Sequence, residues 1–206
     1  MSLPAKAFFC AKCAFSQCDV LTWGGRDYVL PDGEQISIPC RLGWCEECDG
    51  LASVETFSAE LFCGKIQAAE RDLAEPDLYR ERQRRHSQQF VFGSRVVSLP
   101  TGWNYEQASP EERLNVASKL LAMIEKRQSP PRCLKCGGTR VTAPLVSDWS
   151  RVKDPRLPTP IGFVHPGCGG ELSVVEDGFR VALRPSIRRY TPEGEFIELV
   201  NLDERG

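Results

Sequence analysis

The chain has 206 residues, 41% of them hydrophobic and 26% charged, with a formal net charge of −2. This length admits one large domain or two small ones, and the composition is that of a globular protein rather than a disordered or fibrous one. The near-neutral charge argues against a protein that binds nucleic acid through its overall field, and no apolar run of about 18 residues marks a membrane-spanning helix.

The opening residues, MSLPAKAFFCAKC, do not read as an export signal, because Lys12 interrupts a short apolar patch. A cytoplasmic location is therefore expected. The chain carries ten cysteines. Most fall in Cys-x-x-Cys or His-x-x-Cys units, which in a reducing compartment hold metal more often than disulfides.

Residues 1–52 are cysteine-rich and full of turn signals. Pro31-Asp32-Gly33 lies between a Tyr-Val-Leu run and an Ile-Ser-Ile run, which predicts a hairpin with Gly33 at positive φ. Residues 53–130 read mainly as helix. Phe57, Leu61, Phe62, Ile66, Ala69 and Leu73 recur at three- and four-residue steps. Pro76 interrupts the pattern, and a second helix follows through LYRERQRRHSQQ. The stretches FVFGSRVVSLP and TGWNY read as extended chain and loop. Ser109, Pro110 and Glu112 then form a Ser-x-x-Glu capping box before a stripe of Leu114, Ala117, Leu120, Leu121 and Ile124. Prolines 130 and 131 end that helix. Residues 131–206 read as β, with GFVH, ELSVVE, FRVALRP and FIELV as short strands and EDG and TPEGE as turns between them.

The strongest chemical signal lies in four ligand pairs. Cys133 and Cys136 precede Gly137; His165 and Cys168 precede Gly169. In such a knuckle a tight turn brings two donors to one point, and a glycine beyond lets the backbone turn left-handed. Neighbouring pairs are expected to combine. Cys133, Cys136, His165 and Cys168 would form one set of three thiolates and an imidazole. Cys10, Cys13, Cys45 and Cys48 would form a second set of four thiolates. Each would hold a structural Zn2+ with no open position. The spare thiols Cys18, Cys40 and Cys63 leave open a replacement in the second set, Cys40 above all.

Other candidate chemistry is thinner. Cys63 and His86 could be imagined as nucleophile and base, but Cys63 lies beside Phe62 on the helical stripe, so a buried inert thiol is expected. The arginines of 80–85 and of 184–189, with Tyr190 beside the latter, are basic patches suited to phosphates or single-stranded nucleic acid. The alternative is a solvated helix face and an ordinary strand. Trp23, Trp44, Trp103 and Trp149 are expected to pack where core is scarce. No catalytic motif accompanies the carboxylates.

The pairs CAKC with CEEC, and CLKCGG with HPGCGG, resemble zinc ribbons, in which two knuckles at the tips of β-hairpins clamp one zinc. The resemblance implies a fold for the two ends and leaves the helical middle outside it. The ribbon class includes nucleic-acid binders, protein-docking modules and structural inserts. The expectation is an α+β protein with two zinc-ribbon-like β modules, 1–52 and 131–206, flanking a helical region, 53–130. Its expected role is that of a non-catalytic, zinc-stabilised binding protein whose partner is another protein. Nucleic-acid binding through the two arginine groups is the alternative. A zinc enzyme would require an open coordination position that neither set offers.

Overall fold

Alternation of apolar and polar residues, glycine turns and one capping box partition the chain into eleven strands and three helices among the described residues. A computed structural model describes residues 2–18, 25–56, 58–89, 108–142, 156–182 and 186–202. The FVFGSRVVSLP and TGWNY stretches, Phe57, Trp23, Trp103, Trp149, Arg184 and the side chains of Arg85 and His86 lie outside these residues.

The strands before the helices are β1 (Ser2–Cys10), β2 (Ser16–Cys18), β3 (Gly25–Val29), β4 (Gln35–Ser37), β5 (Cys40–Cys45) and β6 (Gly50–Glu55). The helices are α1 (Ala59–Ala74), α2 (Pro76–Gln89) and α3 (Pro110–Lys126). After them come β7 (Val141–Thr142), β8 (Thr159–Val164), β9 (Glu171–Ala182), β10 (Ser186–Tyr190) and β11 (Phe196–Asn201). The molecule is a mixed α+β protein with three mostly antiparallel sheets, ordered β2-β1-β9-β8, β11-β10-β3-β4 and β6-β5-β7.

Every one of these sheets joins strands from before the helices to strands from after them. The longest join is β1 on β9, running antiparallel from Ser2 opposite Ala182 to Cys10 opposite Leu172. β3 pairs in parallel with β10, and β5 pairs with β7 through Cys45 opposite Val141. The two ends are thus woven together by backbone pairing, whereas the sequence suggested a ribbon at each end closed on itself.

Local expectations hold where the signal is local. β3 and β4 form the hairpin around Gly33, at φ +85°, with Tyr28 opposite Ile36. Ser109 and Glu112 form the reciprocal capping box of α3. The buried line of α3 runs through Arg113, Ala117, Leu120 and Met123, rotated slightly from the expected stripe. The EDG segment differs from expectation. Instead of turning, β9 continues through it, and the register against β1 slips between Pro4 and Lys6. Gly178 takes φ +47° there, so the segment is absorbed as a bulge.

Two apolar clusters result. One lies between the β1 and β5 sheets, around Phe8, Trp44, Leu51, Ile161 and Leu172. The other packs α1 and α3 on the β3 sheet through Phe62, Leu120, Tyr28, Ile36 and Tyr190. A buried ion pair ties the second cluster to the neighbouring strands. Glu55 accepts from Arg127 Nη1 at 2.9 Å and Nη2 at 2.7 Å, from Tyr28 Oη at 2.6 Å and from the Arg132 amide at 2.7 Å. Both charged side chains are essentially inaccessible to water. Bidentate geometry of this kind, with the remaining lone pairs occupied, is what makes a buried ion pair tolerable.

Candidate metal centres

Each of the four ligand pairs sits close to the end of an element. Cys10 closes β1 and Cys45 closes β5, while His165 follows β8 and Cys133 follows α3. The knuckles are held by short backbone bonds. The His165 amide donates to Gly170 O at 2.7 Å and the Gly169 amide to His165 O at 2.8 Å. The Cys133 amide donates to Gly138 O at 2.8 Å, and the Gly137 amide to Cys133 O at 2.8 Å. The residue after the second ligand is left-handed in three of the four pairs: Asp49 at φ +46°, Gly137 at +78° and Gly169 at +68°.

The eight expected residues come together in two groups of four, but in a different combination from the one the sequence suggested. Cys10 and Cys13 meet His165 and Cys168; Cys45 and Cys48 meet Cys133 and Cys136. The pairing of Cys10 and Cys13 with Cys45 and Cys48, and of Cys133 and Cys136 with His165 and Cys168, is therefore corrected. The cause is the strand pairing. β1 against β9 carries the first knuckle to the last, and β5 against β7, with Val54 bridging Cys133, carries the second to the third. Cys18, Cys40 and Cys63 take no part in either group. Cys63 is also exposed, because the buried side of α1 runs through Phe62, Ala69 and Asp72 and turns the neighbouring thiol outward.

In the first centre Cys10 Sγ lies 3.4 Å from Cys168 Sγ. His165 Nδ1 lies 3.4 Å from Cys13 Sγ and 3.2 Å from Cys168 Sγ. In the second, Cys45 Sγ is 3.5 Å from Cys136 Sγ, and Cys48 Sγ is 3.9 Å from Cys133 Sγ. These separations are too long for disulfides. A tetrahedron with metal–sulfur bonds of about 2.3 Å has sulfur–sulfur edges of roughly 3.8 Å, close to what is found. All donor atoms within each group fall within 4.8 Å of one another, so both groups could hold a metal ion.

Electrostatics point the same way. Burial, followed by the Cys136 and Cys133 sulfurs, pushes the Cys48 thiol up to about 11. Burial also raises the Cys45 thiol. Crowded thiols of this kind resist ionisation until a cation compensates them. Backbone amides already face two of the sulfurs, Lys12 N to Cys10 and Gly138 N to Cys136, each at 3.4 Å.

The doubled glycines have separate tasks. Gly137 and Gly169 supply the left-handed turn. Gly138 and Gly170 allow the partner knuckle to approach. A Cβ on Gly138 would fall 2.6 Å from Glu47 Oε2, and one on Gly170 would fall 2.5 Å from Cys10 Sγ. In each case the obstacle belongs to the partner knuckle of the same centre.

The two centres also share a wall. Trp44, next to the candidate ligand Cys45, meets the candidate ligand His165 edge-on with centroids 4.9 Å apart. Phe15 stacks on the same imidazole at 4.8 Å and meets Trp44 at 5.2 Å. These rings fix the histidine so that Nδ1 faces the sulfurs. Sequence reading anticipated a packing role for Trp44 but not this position. Several of the expected basic residues have partners within the chain. Arg80 pairs with Asp77, Arg82 with Asp72, and Arg189 with Glu198 and Gln35.

The chain matches no protein-family model, no curated protein and no solved structure at a significant level.

Proposed function

We propose that the chain is a non-catalytic, zinc-stabilised binding protein, in which two Zn2+ ions clasp its early segments to its late ones and its partner is another protein. The supporting observation is that each donor group takes one knuckle from before the helices and one from after them. A metal at either position therefore cross-links distant parts of the chain, from Cys10 to Cys168 in one centre and from Cys45 to Cys136 in the other. Sulfur-rich shells, one of four thiolates and one of three thiolates with an imidazole, suit zinc. Four protein donors leave no open position for a reacting water, which favours a structural over a catalytic ion. Of the arginines that could meet nucleic acid, Arg80, Arg82 and Arg189 pair with Asp77, Asp72 and Glu198, and the total charge is −2. That balance supports a protein partner over a phosphate backbone.

The test is elemental analysis of the purified chain with circular dichroism before and after chelation. Two zinc ions per chain and a large loss of thermal stability on removal are expected. A metal-free preparation that melts at the same temperature would rule the reading out. Capture from the native host after nuclease treatment then tests the class of partner. A protein that persists supports the proposal, and retention only while nucleic acid is intact contradicts it.

A further inference from the structure

We infer that β11 is a docking edge for an extended segment of another protein, one that alternates apolar with basic residues. The inference rests on the protein-binding reading above and names the surface that carries it.

A sheet edge offers unpaired backbone donors and acceptors, and proteins normally blunt it by shortening the strand, inserting proline or covering it. Among the described residues the other edges show these devices. β2 and β4 have three residues each and β7 has two. β8 contains Pro160, and β6 is buried along its whole length. β11 is neither short nor broken by proline nor covered, although its register against β10 shifts at Ile197. It has six residues without proline, and Phe196, Ile197 and Leu199 are 61%, 48% and 48% exposed. Its inner side is fixed by pairing with β10 from Ser186 opposite Asn201 to Tyr190 opposite Phe196. The strand is thus held by its neighbour on both sides of an irregularity at Ile197, while its apolar side chains remain in water.

The side chains define what would fit. The register against β10 skips Ile197, so Phe196, opposite Tyr190, shares a face with Leu199, opposite Arg188, while Glu198, opposite Arg189, lies on the other face. A strand added at the edge meets each face with its own alternate residues. Apolar side chains suit Phe196 and Leu199, and a cation suits Glu198, which meets Arg189 through Oε1 at 2.6 Å. Residues 191–202 contain Glu193, Glu195 and Glu198 and no lysine or arginine. A second copy of the same strand would bring like charges together, so the charge pattern selects a different, basic chain.

The test uses the full metal-loaded chain and a fluorescein-labelled peptide of alternating lysine and valine, read by fluorescence anisotropy. Saturable binding is expected. A glutamate–valine peptide and a lysine–serine peptide should each bind at least about tenfold more weakly, the scale set by losing two or three cross-strand pairs. Leu199→Lys and Glu198→Lys should weaken the lysine–valine peptide by a similar factor. Both residues are half-exposed or nearly so, and unchanged metal content and melting temperature would show that the variants fold. Equal binding of all three peptides, or no effect of folded variants, overturns the inference. So does self-association in sedimentation that Leu199→Lys abolishes, because the occupant is then a second copy. If a host protein is captured equally by wild type and Leu199→Lys, the docking edge is wrong and the protein-binding reading survives. If the chain holds no metal, that reading fails on its own test.

Discussion

Gly170 stands directly against Cys10, so close that a methyl group on the glycine would fall 2.5 Å from the sulfur. The residues are 160 positions apart and belong to the two knuckles of one centre. Gly138 holds the equivalent place against Glu47 in the other centre. Gly170→Ala should destabilise the protein by about 1–3 kcal/mol through overpacking and lower its metal content, whereas Gly138→Ala should cost less, because only the flexible Glu47 side chain stands in its way. Gly64, inside α1 with nothing near its Cβ position, is the control. Gly64→Ala should raise stability by roughly 0.5–1 kcal/mol. Thermal melts of the three variants, with metal analysis, check the opposite signs.

Metal uptake should be proton-coupled. The Cys48 thiol, pushed up to about 11 by burial and neighbouring sulfurs, is protonated in the metal-free protein at neutral pH. Ligation replaces that proton, so affinity should rise with pH and fall as pH drops. Calorimetric zinc titration in two buffers of different ionisation enthalpy should show net proton release at neutral pH. Zero release would contradict the assignment of the thiols as ligands.

The Glu55–Arg127 pair should be the costliest single contact outside the metal centres to break. Arg127→Met leaves Glu55 buried without its cation and should cost about 3–5 kcal/mol. Arg127→Lys should recover only part of this, because one ammonium cannot reproduce two parallel bonds. Urea denaturation at constant metal loading measures both.

Tyr28 gives the protein an alkaline limit. Burial, then the Glu55 charge, raises its hydroxyl above the ordinary tyrosine range. The folded state therefore keeps a proton that the unfolded chain releases near pH ~10. This contribution is complete below that pH and is lost as pH rises above it. Between pH 9.5 and 11, roughly the span either side of an ordinary tyrosine titration, stability should respond differently in the wild type and in Tyr28→Phe. Sign follows from proton count. The folded wild type binds the extra proton, so its stability falls more steeply with pH than that of the variant. The variant should start about 1–2 kcal/mol lower, having lost the bond to Glu55. Parallel slopes in pH-dependent urea melts would contradict the assignment.

Much of the molecule could be read from residues close together in sequence. The Gly33 hairpin, the Ser109 capping box and the eight ligand residues all announce themselves within a few positions. The partnering of the knuckles does not. Four knuckles allow three pairings, just as four cysteines do, and the sequence favours neighbours only through shorter loops. That preference is weak. Thirty-one residues separate Cys13 from Cys45, whereas Cys13 and His165 are 152 apart. The difference in closure entropy is only about 1.4 kcal/mol. The eight residue pairs between β1 and β9 outweigh it, and no short pattern encodes their register. Glu55 was illegible for a similar reason. Its partners Tyr28, Arg127 and Arg132 come from distant segments, and nothing beside it marks it as buried.

The nesting of the two centres, with the first knuckle closing on the last and the second on the third, has a consequence for synthesis. A chain emerging from the ribosome exposes Cys10 and Cys13 long before His165 and Cys168 exist to meet them. Neither centre can be completed until the helices have been made, and the outer one waits longest. Such distant closures fold slowly. During that interval the early thiols stand open to oxidation and to mispairing with one another. The newborn chain is therefore most vulnerable around its first two knuckles, and, if the centres take zinc as proposed, its maturation depends on metal being at hand when the later ones emerge.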